Sequence, residues 1–276
     1  MPTTLLEKRD RLLAAIRQYD SCAVAFSGGV DSAVLAKAAQ VALGSRAVAI
    51  TGVSPSLATG EKEAAAEIAQ LIGIDHRFLW TNEFASAAYT RNAGDRCYHC
   101  KTELYSQIAL LLPELGVHVV LNGTNADDLG DYRPGLTAAA EHTVRSPLAD
   151  CGFTKQDVRD LAAHWRLPVW DKPASPCLSS RVAYGEEVTP ERLAMIDRAE
   201  QFLRDHGLHL VRVRFHAGDL ARIEIPLAEL PRLTNPQFRG ELAAAFRRLG
   251  FQFITLDLEG FRSGSLNQLV RISPSE

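Results

Sequence analysis

A short apolar run near the amino terminus leads directly into a double-glycine turn and then into a helical pattern. The run is Ala23-Val24-Ala25-Phe26, and the turn is Ser27-Gly28-Gly29-Val30-Asp31-Ser32. Paired glycines let the backbone approach an anion closely, and a helix that begins at the turn directs unpaired N–H groups and its positive dipole end at the same place. Ser27 and Ser32 can add hydroxyl donors. The segment therefore predicts a strand, a phosphate-binding turn and a helix, in that order.

Asp31 adds a carboxylate to the turn and narrows the kind of phosphate site. A carboxylate beside phosphate groups can help to hold Mg²⁺. The sequence contains neither G-x-x-x-x-G-K-[ST] nor G-x-G-x-x-G, which disfavours a Walker-type kinase or ATPase and weakens the case for a dinucleotide site. The alternative is an ordinary strand–helix turn, which would need only one glycine.

A second polar segment follows another apolar run. Leu121-Asn122-Gly123-Thr124-Asn125-Ala126-Asp127-Asp128 places a glycine turn and two carboxylates at the carboxyl end of a predicted strand. Open α/β sheets bind ligands at the carboxyl ends of their strands, so we predict that Gly123 and Thr124 join the nucleotide site. Taken alone, the segment could equally be a polar turn.

Apolar runs alternate with helical patterns up to about residue 170. This alternation predicts a parallel sheet covered by helices on both faces. After about Tyr184 the pattern becomes helix, hairpin, helix and strand, which predicts a smaller α+β domain. We therefore predict an α/β fold with a first domain over residues 1–170 and a second over residues 171–276. The predicted strands cover residues 23–26, 47–50, 76–79, 118–121, 210–216, 221–226 and 251–258, and the predicted helices cover residues 32–43, 60–72, 101–112, 190–206 and 236–249, with a further helix that begins at the N-cap residue Thr154.

Composition bounds the class of protein. The 276 residues are 46% hydrophobic and 23% charged, with a net charge of −3, as in an ordinary globular protein. The acidic balance does not favour extensive nonspecific binding of nucleic acid. The first residues read as an amphipathic helix without the features of a signal peptide, and no apolar stretch is long enough for a bilayer. We expect a cytoplasmic protein with no membrane partner.

The five cysteines fall into three groups. An odd number without a secretion signal argues against a disulfide framework, and Cys22 and Cys151 read as packing residues. Cys97 and Cys100 form one C-x-x-C, which alone could be a zinc half-site, a redox pair or coincidence. Cys177 lies in a proline-flanked loop, where it could also be a small buried residue. Three thiolates would leave one iron of a [4Fe-4S] cluster open for a ligand such as sulfide.

The motifs resemble those of a known family. AFSGGVDS is similar to the PP-loop of ATP pyrophosphatases, which cleave ATP between the α and β phosphates and adenylate an acceptor; the segment at residues 121–128 resembles their second nucleotide segment. This likeness implies a PP-loop (adenine nucleotide alpha hydrolase-like) domain. The whole chain resembles the LarE family, which inserts sulfur during synthesis of a nickel-pincer nucleotide. The strings that carry this narrower resemblance are Asp131-Tyr132-Arg133-Pro134-Gly135, Pro176 to Gly185, Arg212-Val213-Arg214-Phe215-His216 and Leu256 to Gly264.

The resemblance implies a substrate and two possible sulfur sources. LarE proteins adenylate a carboxylate of pyridinium-3,5-biscarboxylic acid mononucleotide and convert it to a thiocarboxylate. In one branch the loop cysteine, here Cys177, gives up its own sulfur and becomes dehydroalanine. In another branch three cysteines hold a [4Fe-4S] cluster that carries an extra sulfide. Because Cys97 and Cys100 accompany Cys177, we favour the cluster route, with the sacrificial route as the alternative.

Further site residues follow from the same resemblance. Arg212 and Arg214 alternate along a predicted strand, where they could grip the mononucleotide phosphate with Ser180 and Arg181, or could be solvated on an exposed face. The resemblance implies that a glutamate assists the metal or the sulfur-release step. We assign Glu200 to catalysis and Glu224 to the metal, although the sequence alone makes both surface residues.

Two other functions stay open at this point. One is tRNA thiolation, since some PP-loop enzymes of that class also hold a three-cysteine cluster; the acidic net charge speaks against an RNA-binding surface. The other is a noncatalytic nucleotide-binding or sulfur-carrier protein, which the intact Ser27–Ser32 turn disfavours. The family resemblance also implies a sulfide source as partner and a homo-oligomer, such as a hexamer.

Overall fold

The chain forms two compact units in a computed structural model that describes residues 4–130, 134–173 and 175–262. The first unit draws on residues 1–54, 60–83 and 97–175, and the second on residues 55–59, 84–96 and 176–276. Two short segments from the amino-terminal half thus belong to the second unit. The predicted domain boundary at residue 170 stays a prediction, because compactness does not establish independent folding.

Four parallel strands form the sheet of the first unit, which confirms the predicted α/β architecture. Small and β-branched apolar residues such as Val24 and Ile50 fill the inner strands, because both faces of a parallel sheet are buried. Cys22 at the start of the central strand pairs with Ala47 on one side and Val119 on the other. In spatial order the strands are β3 (Asp75–Trp80), β2 (Ala47–Val53), β1 (Cys22–Ala25) and β4 (Val119–Leu121).

Helices cover both faces of this sheet. Successive strand residues point to opposite faces, so Val24 joins one apolar cluster and Ala23 the other. Among the described residues, no helix has the length and hydropathy that crossing a membrane needs. The helices of this part of the chain are α1 (Leu5–Arg17), α2 (Val30–Leu43), α3 (Glu61–Ile72), α4 (Ala87–Thr90), α5 (Arg96–Leu115), α6 (Pro134–Glu141), α7 (Pro147–Asp150) and α8 (Lys155–His164), of which α4 lies in the second unit.

Two helix starts show where the sequence signals for a helix N-terminus predicted its position and where they did not. The predicted N-cap is confirmed at α8, where the Thr154 hydroxyl accepts a hydrogen bond from the backbone N–H of Asp157, and the Asp157 carboxylate accepts one from the N–H of Thr154. The helix predicted from Lys101 instead begins at Arg96, so the C-x-x-C is helical. Tyr, His and Cys give little helix signal; the missed signal is Asp95, a residue type common at N-caps.

The second unit is a small α+β structure, as predicted, and its three-stranded sheet is mixed. Its predicted hairpin is confirmed: the first two strands are antiparallel, and Gly218 and Asp219 turn the chain with φ of +73° and +53°. The third strand pairs parallel with the second. Phe215, Phe246 and Phe251 are buried in its core. In chain order the elements after α8 are α9 (Pro190–Asp205), β5 (Arg212–His216), β6 (Leu220–Glu224), α10 (Leu230–Thr234), α11 (Pro236–Leu249) and β7 (Phe253–Leu256).

Candidate active site

The glycine turn of the first unit lies between the end of β1 and the start of α2. Gly28 has φ of +71°, and Gly29 is the extended N-cap residue of α2. Because Gly29 has no side chain, it cannot cap the helix itself, and the helix start keeps its capacity to receive an anion. An added Cβ at Gly28 would lie 3.1 Å from Cα of Ala65 in α3. The turn therefore requires glycine both for its backbone angle and for close packing.

The two serines of the turn hold it from within. The Ser32 hydroxyl donates to the carbonyl of Gly29 at 3.0 Å and accepts from the backbone N–H of Ser27 at 3.2 Å. The two hydroxyl oxygens are themselves 3.2 Å apart. Ser32 is buried and Ser27 is exposed. Their role as donors to a phosphate stays a prediction, and Ser27 is the better placed of the two to meet a ligand from solvent.

The second predicted segment reaches the glycine turn. An added Cβ at Gly123 would lie 2.9 Å from the backbone nitrogen of Ser32, and Asn125 Nδ2 donates to Asp31 Oδ1 at 3.1 Å. Thr124 follows Gly123 and donates its backbone N–H to Asn122 Oδ1. The structure thus brings the two sequence-predicted nucleotide segments together at the carboxyl edge of the sheet.

Lys155 is a neighbour of this site that the sequence analysis missed. Its Nζ lies 2.5 Å from Asp31 Oδ2, and its backbone N–H donates to Asp127 Oδ2 at 2.8 Å. Lys155 is the first residue of α8 and directly follows the predicted N-cap Thr154. The sequence signal that could have identified it is a helix start expected near the carboxyl edge of the sheet, where ligands bind. An ammonium group beside the turn is suited to neutralise phosphate charge. It also competes with Mg²⁺ for the Asp31 carboxylate, whose metal role stays a prediction.

The cysteines of the C-x-x-C lie in the first two turns of α5. Residues three apart share a helix face, so Cys97 and Cys100 can serve one ligand together. Cys97 is exposed and Cys100 is partly buried. Within the described part of either unit taken by itself, no three His, Cys, Asp or Glu side chains are grouped to hold a metal ion. The assignment of both thiols to a cluster stays a prediction.

Cys177 belongs to the second unit and is exposed, so its reading as a small buried residue is wrong. It precedes a short 3-10 turn, Leu178–Arg181. The Ser180 hydroxyl donates to the carbonyl of Cys177 at 2.7 Å, and Arg181 Nη1 donates to the same carbonyl at 3.0 Å. Arg181 Nη1 also bonds the carbonyl of Pro176. The backbone around this thiol is therefore fixed while its side chain faces solvent. The packing interpretation holds for Cys22, which is buried, and for Cys151, which packs against the core.

Glu200 is fully buried, so its reading as a surface residue is wrong. Its Oε1 accepts from Arg181 Nε at 3.0 Å and from the backbone N–H of Val213 at 3.1 Å, while its Oε2 accepts from Arg204 Nη1 at 3.3 Å. The sequence of this helix shows only the local partner Arg204, four residues further on. Arg181 and Val213 come from a distant turn and a distant strand, so the sequence gives no sign that Glu200 is buried. A buried carboxylate needs this pairing.

Glu224 is also fully buried, which corrects the second surface assignment. Arg214 donates to its Oε2 through Nε at 3.0 Å and Nη2 at 2.9 Å, and Arg222 Nη2 donates to its Oε1 at 3.0 Å. Arg214 Nη1 also donates to the carbonyl of Ser180 at 3.1 Å. With guanidinium groups on both oxygens, Glu224 does not fit a metal ligand in this arrangement.

Arg212 and Arg214 are buried, so the reading of solvated arginines on an exposed face is wrong. Arg212 Nη1 donates to the carbonyl of Val211 at 2.8 Å. Burial, together with the charges of Arg181, Arg214 and Arg204, lowers the pKa of the Arg212 guanidinium to about 10, although Glu200 opposes the shift. This part of the second unit is therefore rich in buried positive charge. Binding of a phosphate here stays a prediction.

Two of the strings that carried the family resemblance are only partly described. Residues 131–133 of the first and residues 263 and 264 of the last lie outside the described residues. Gly135, which closes the first string, lies where an added Cβ would be 3.2 Å from Cγ of Lys101.

Sequence comparison identifies relatives along the whole chain. No protein-family model matches it. An uncharacterized protein of Synechocystis sp. is 47% identical over 266 residues, covering 96% of this chain and 99% of the relative. An uncharacterized protein of Methanocaldococcus jannaschii is 33% identical over 173 residues, which is 63% of this chain and 66% of that protein.

A third relative has an assigned activity. The pyridinium-3,5-bisthiocarboxylic acid mononucleotide synthase of Lactiplantibacillus plantarum is 37% identical over 265 residues, covering 96% of this chain and 95% of the synthase. Identity at this level along nearly the full length of both proteins shows common descent, and the chain belongs to the LarE family, the family of that synthase.

Proposed function

We propose that this protein inserts sulfur into a pyridinium mononucleotide during synthesis of a nickel-pincer nucleotide. It adenylates a carboxylate of pyridinium-3,5-biscarboxylic acid mononucleotide with ATP and converts that carboxylate to a thiocarboxylate. The observation that carries the proposal is the 37% identity to the Lactiplantibacillus plantarum synthase over 96% of this chain. The glycine turn with Lys155 and the exposed thiol of Cys177 supply chemistry for the two halves of such a reaction.

The first half is activation of the carboxylate. Its oxygen is a poor leaving group; attack of that oxygen on the α-phosphorus of ATP releases pyrophosphate and leaves AMP attached as a good one. The helix start at Gly28 and Gly29 would bind the phosphates, with Lys155 offsetting their charge. A bound Mg²⁺, held through Asp31, would neutralise further phosphate charge.

The second half replaces AMP with sulfur. A [4Fe-4S] cluster, when bound by Cys97, Cys100 and Cys177, would present sulfide at its open iron. The shared helix face of Cys97 and Cys100 and the exposure of Cys177 fit this assignment. In the alternative route the Cys177 sulfur attacks the activated carbonyl carbon and AMP leaves. Loss of the Cys177 α-proton then breaks its Cβ–S bond and yields thiocarboxylate and dehydroalanine.

The buried arginines of the second unit would bind the phosphate of the mononucleotide. A dianion beside Arg212 would offset both the burial and the repulsion by Arg181 that lower the pKa of its guanidinium. Arg214 and Ser180 are tied together by the bond between Arg214 Nη1 and the Ser180 carbonyl, and Arg181 completes the group. Glu200 holds Arg181 in place and Glu224 holds Arg214. These hydrogen bonds support a structural role better than catalysis by Glu200 or metal binding by Glu224.

The partners follow from the same scheme. A sulfide source is required for the cluster route, and a homo-oligomer such as a hexamer is proposed from family membership. The competing functions are tRNA thiolation and noncatalytic nucleotide binding. The net charge of −3 favours a small-molecule substrate over tRNA, and we place the protein in the cytoplasm.

The test supplies the anaerobically purified chain with ATP, Mg²⁺ and sulfide, and with either the pyridinium mononucleotide or tRNA. Pyrophosphate release and the exchange of oxygen for sulfur, read by mass spectrometry, are expected with the mononucleotide only. Cys177→Ser should keep pyrophosphate release and lose the thiocarboxylate, while Cys151→Ser, a partly buried cysteine outside the site, should keep both. Sulfur transfer to tRNA alone would overturn the proposal.

The sulfur route is decided by a second measurement on the same samples. If the cluster route operates, the unaltered protein should contain iron and acid-labile sulfide, and Cys97→Ser should contain neither. If iron is absent and Cys177 loses the mass of hydrogen sulfide during turnover, the sacrificial route holds instead.

A further inference from the structure

Asn92 is a buried polar residue that links the segment 84–96 to the loop carrying Cys177. We define the Cys177 loop as residues 176–186; both segments belong to the second unit. Asn92 is 0% exposed and has a left-handed φ of +56°. Its Nδ2 donates to the carbonyls of Val182 at 3.3 Å, Ala183 at 2.8 Å and Glu186 at 2.9 Å. One side chain thereby fixes three points of the loop backbone.

Arg96 extends this linkage toward the cysteine. It is only 5% exposed, and its Nη1 donates to the carbonyl of Ser179 at 2.8 Å and also to Asn92 Oδ1. The guanidinium carbon lies 5.9 Å from the ring centroid of Tyr184, within cation–π range. Ser179 stands two residues after Cys177, so Arg96 acts on the backbone next to the thiol.

Further bonds join the same two segments. The hydroxyl oxygens of Tyr89 and Ser179 are 2.7 Å apart in a buried position. The backbone N–H of Gly185 donates to the carbonyl of Asn92 at 3.3 Å, and that of Val188, two residues beyond the loop, donates to the carbonyl of Thr90 at 2.8 Å. The segment and the loop are therefore joined along their length.

The free-energy cost of burying polar groups explains why these hydrogen bonds matter for the loop. A buried amide or guanidinium is costly unless it is hydrogen-bonded, and here the bonds go to loop carbonyls, which a flexible loop would otherwise offer to water. Asparagine tolerates the left-handed conformation, so Asn92 can turn its amide toward the loop with little backbone strain. The result is a loop with its backbone held and its thiol in solvent.

We propose that Asn92 and Arg96 are positioning residues that fix the Cys177 loop through the carbonyls of residues 179, 182, 183 and 186. They set where the Cys177 sulfur stands without touching substrate. The structural part of this inference is independent of the proposed function; its catalytic consequence rests on the role of Cys177 in sulfur transfer.

The structural part is tested by hydrogen exchange and by thiol alkylation. Asn92→Gly removes the amide group and keeps the left-handed backbone accessible. We expect faster exchange of the loop amides at Ala183 and Gly185 and a changed rate of iodoacetamide labelling at Cys177, with exchange in β1 and α2 unaltered. The matched control is Arg91→Ala, in the same segment, whose side chain pairs at the surface with Asp95.

The catalytic part is tested under single-turnover conditions with ATP and the pyridinium mononucleotide. In Asn92→Gly we expect pyrophosphate release and the KM for ATP to stay within about twofold, while thiocarboxylate formed per pyrophosphate falls by about tenfold or more, as for a misplaced reacting group. Arg96→Met should behave similarly. Arg96→Lys, which keeps a donor for the Ser179 carbonyl, should recover part of the yield.

The outcomes separate the two ideas. If exchange and labelling in Asn92→Gly and Arg96→Met match the Arg91→Ala control, the positioning role is wrong. An equal loss of pyrophosphate release and sulfur transfer would also overturn it, since that indicates general damage to the second unit. If the loop loosens as expected but the unaltered protein makes no thiocarboxylate, the positioning role stands and the proposed function fails.

Discussion

At the scale of single residues, two glycines allow the backbone of the glycine turn and other segments to approach each other closely. Gly28 packs its backbone against Ala65 of α3, and Gly123 brings the second segment against the backbone at Ser32. Neither approach is visible in the sequence, which shows only that glycines stand at the ends of apolar runs. The closeness explains why this turn and the second segment need glycine at positions that face other parts of the fold.

The first prediction concerns Gly28→Ala. Alanine must adopt φ of +71° and place its Cβ 3.1 Å from Cα of Ala65. We expect a loss of unfolding free energy beyond the about 1 to 2 kcal/mol of a left-handed alanine, and loss of pyrophosphate release because the turn must move. Urea unfolding and a pyrophosphate assay measure the two effects.

The matched control for this change is Gly73→Ala. Gly73 has φ of +77°, and an added Cβ would meet nothing within 4 Å. It should therefore show the backbone cost alone and keep pyrophosphate release. Equal effects of the two substitutions on both measurements would contradict a packing requirement at Gly28.

At the scale of elements, the edge strand β3 carries a partly buried histidine, His76, which contacts β2 and the residue that follows β1. His76 Nε2 lies 2.8 Å from the Thr51 hydroxyl, which donates to the carbonyl of Phe26. The imidazole also makes edge contacts with Phe26 and Phe78, at centroid distances of 5.5 Å and 4.6 Å. Burial lowers the pKa of His76, and the charge of Asp75 only partly offsets the shift.

This environment predicts a pH dependence of stability. The unfolded chain has the ordinary histidine pKa of about 6.5, and the folded pKa lies below it. As pH falls through about 6.5 the unfolded state binds the proton first, so the free energy of unfolding decreases until the folded pKa is passed. In His76→Gln, which can still bond Thr51, this decrease should be shallower.

Urea unfolding at pH 7.5, 6.5 and 5.5 checks this expectation. The glutamine lowers stability at every pH because it lacks the ring contacts, so the slope with pH is the informative quantity. A slope in His76→Gln as steep as in the unaltered protein would show that His76 is not the group responsible.

Features that depend on residues close together in the sequence were predictable. Features that depend on contacts between residues far apart in the sequence were not. The strand–turn–helix unit at Ser27–Ser32 and the hairpin at Gly218 follow from glycine placement and apolar patterning alone. The burial of Glu200 and Glu224 did not follow from the sequence. The buried arginines that neutralise them, Arg181 and Arg214, lie 19 and 10 residues away in the chain. Lys155 was missed for the same reason: its partner Asp31 is remote in sequence.

At the scale of the whole molecule, the chain passes repeatedly between the two units, and the segments 55–59 and 84–96 belong to the second unit while their ends continue into the first. The four-stranded sheet and the apolar clusters on both its faces draw only on first-unit residues. We infer that the second unit depends on the first to hold these two segments, whereas the sheet and apolar clusters of the first unit use no second-unit residue.

This asymmetry predicts how destabilisation spreads. All three tryptophans, Trp80, Trp165 and Trp170, lie in the first unit, so their fluorescence reports that unit, while far-ultraviolet circular dichroism reports both. Glu200→Gln leaves the buried charge of Arg181 uncompensated, which costs about 3 kcal/mol or more. We expect an early dichroism transition in urea for this variant with the fluorescence midpoint unchanged.

Gly28→Ala should behave differently, because weakening the first unit also releases the two anchored segments. Here both signals should move together to lower urea. Glu241→Gln makes the same chemical change as Glu200→Gln at an exposed position of α11 and should move neither signal. Coincident transitions in Glu200→Gln would mean that the two units unfold as one cooperative body, and the asymmetry inferred from the chain path would then be wrong.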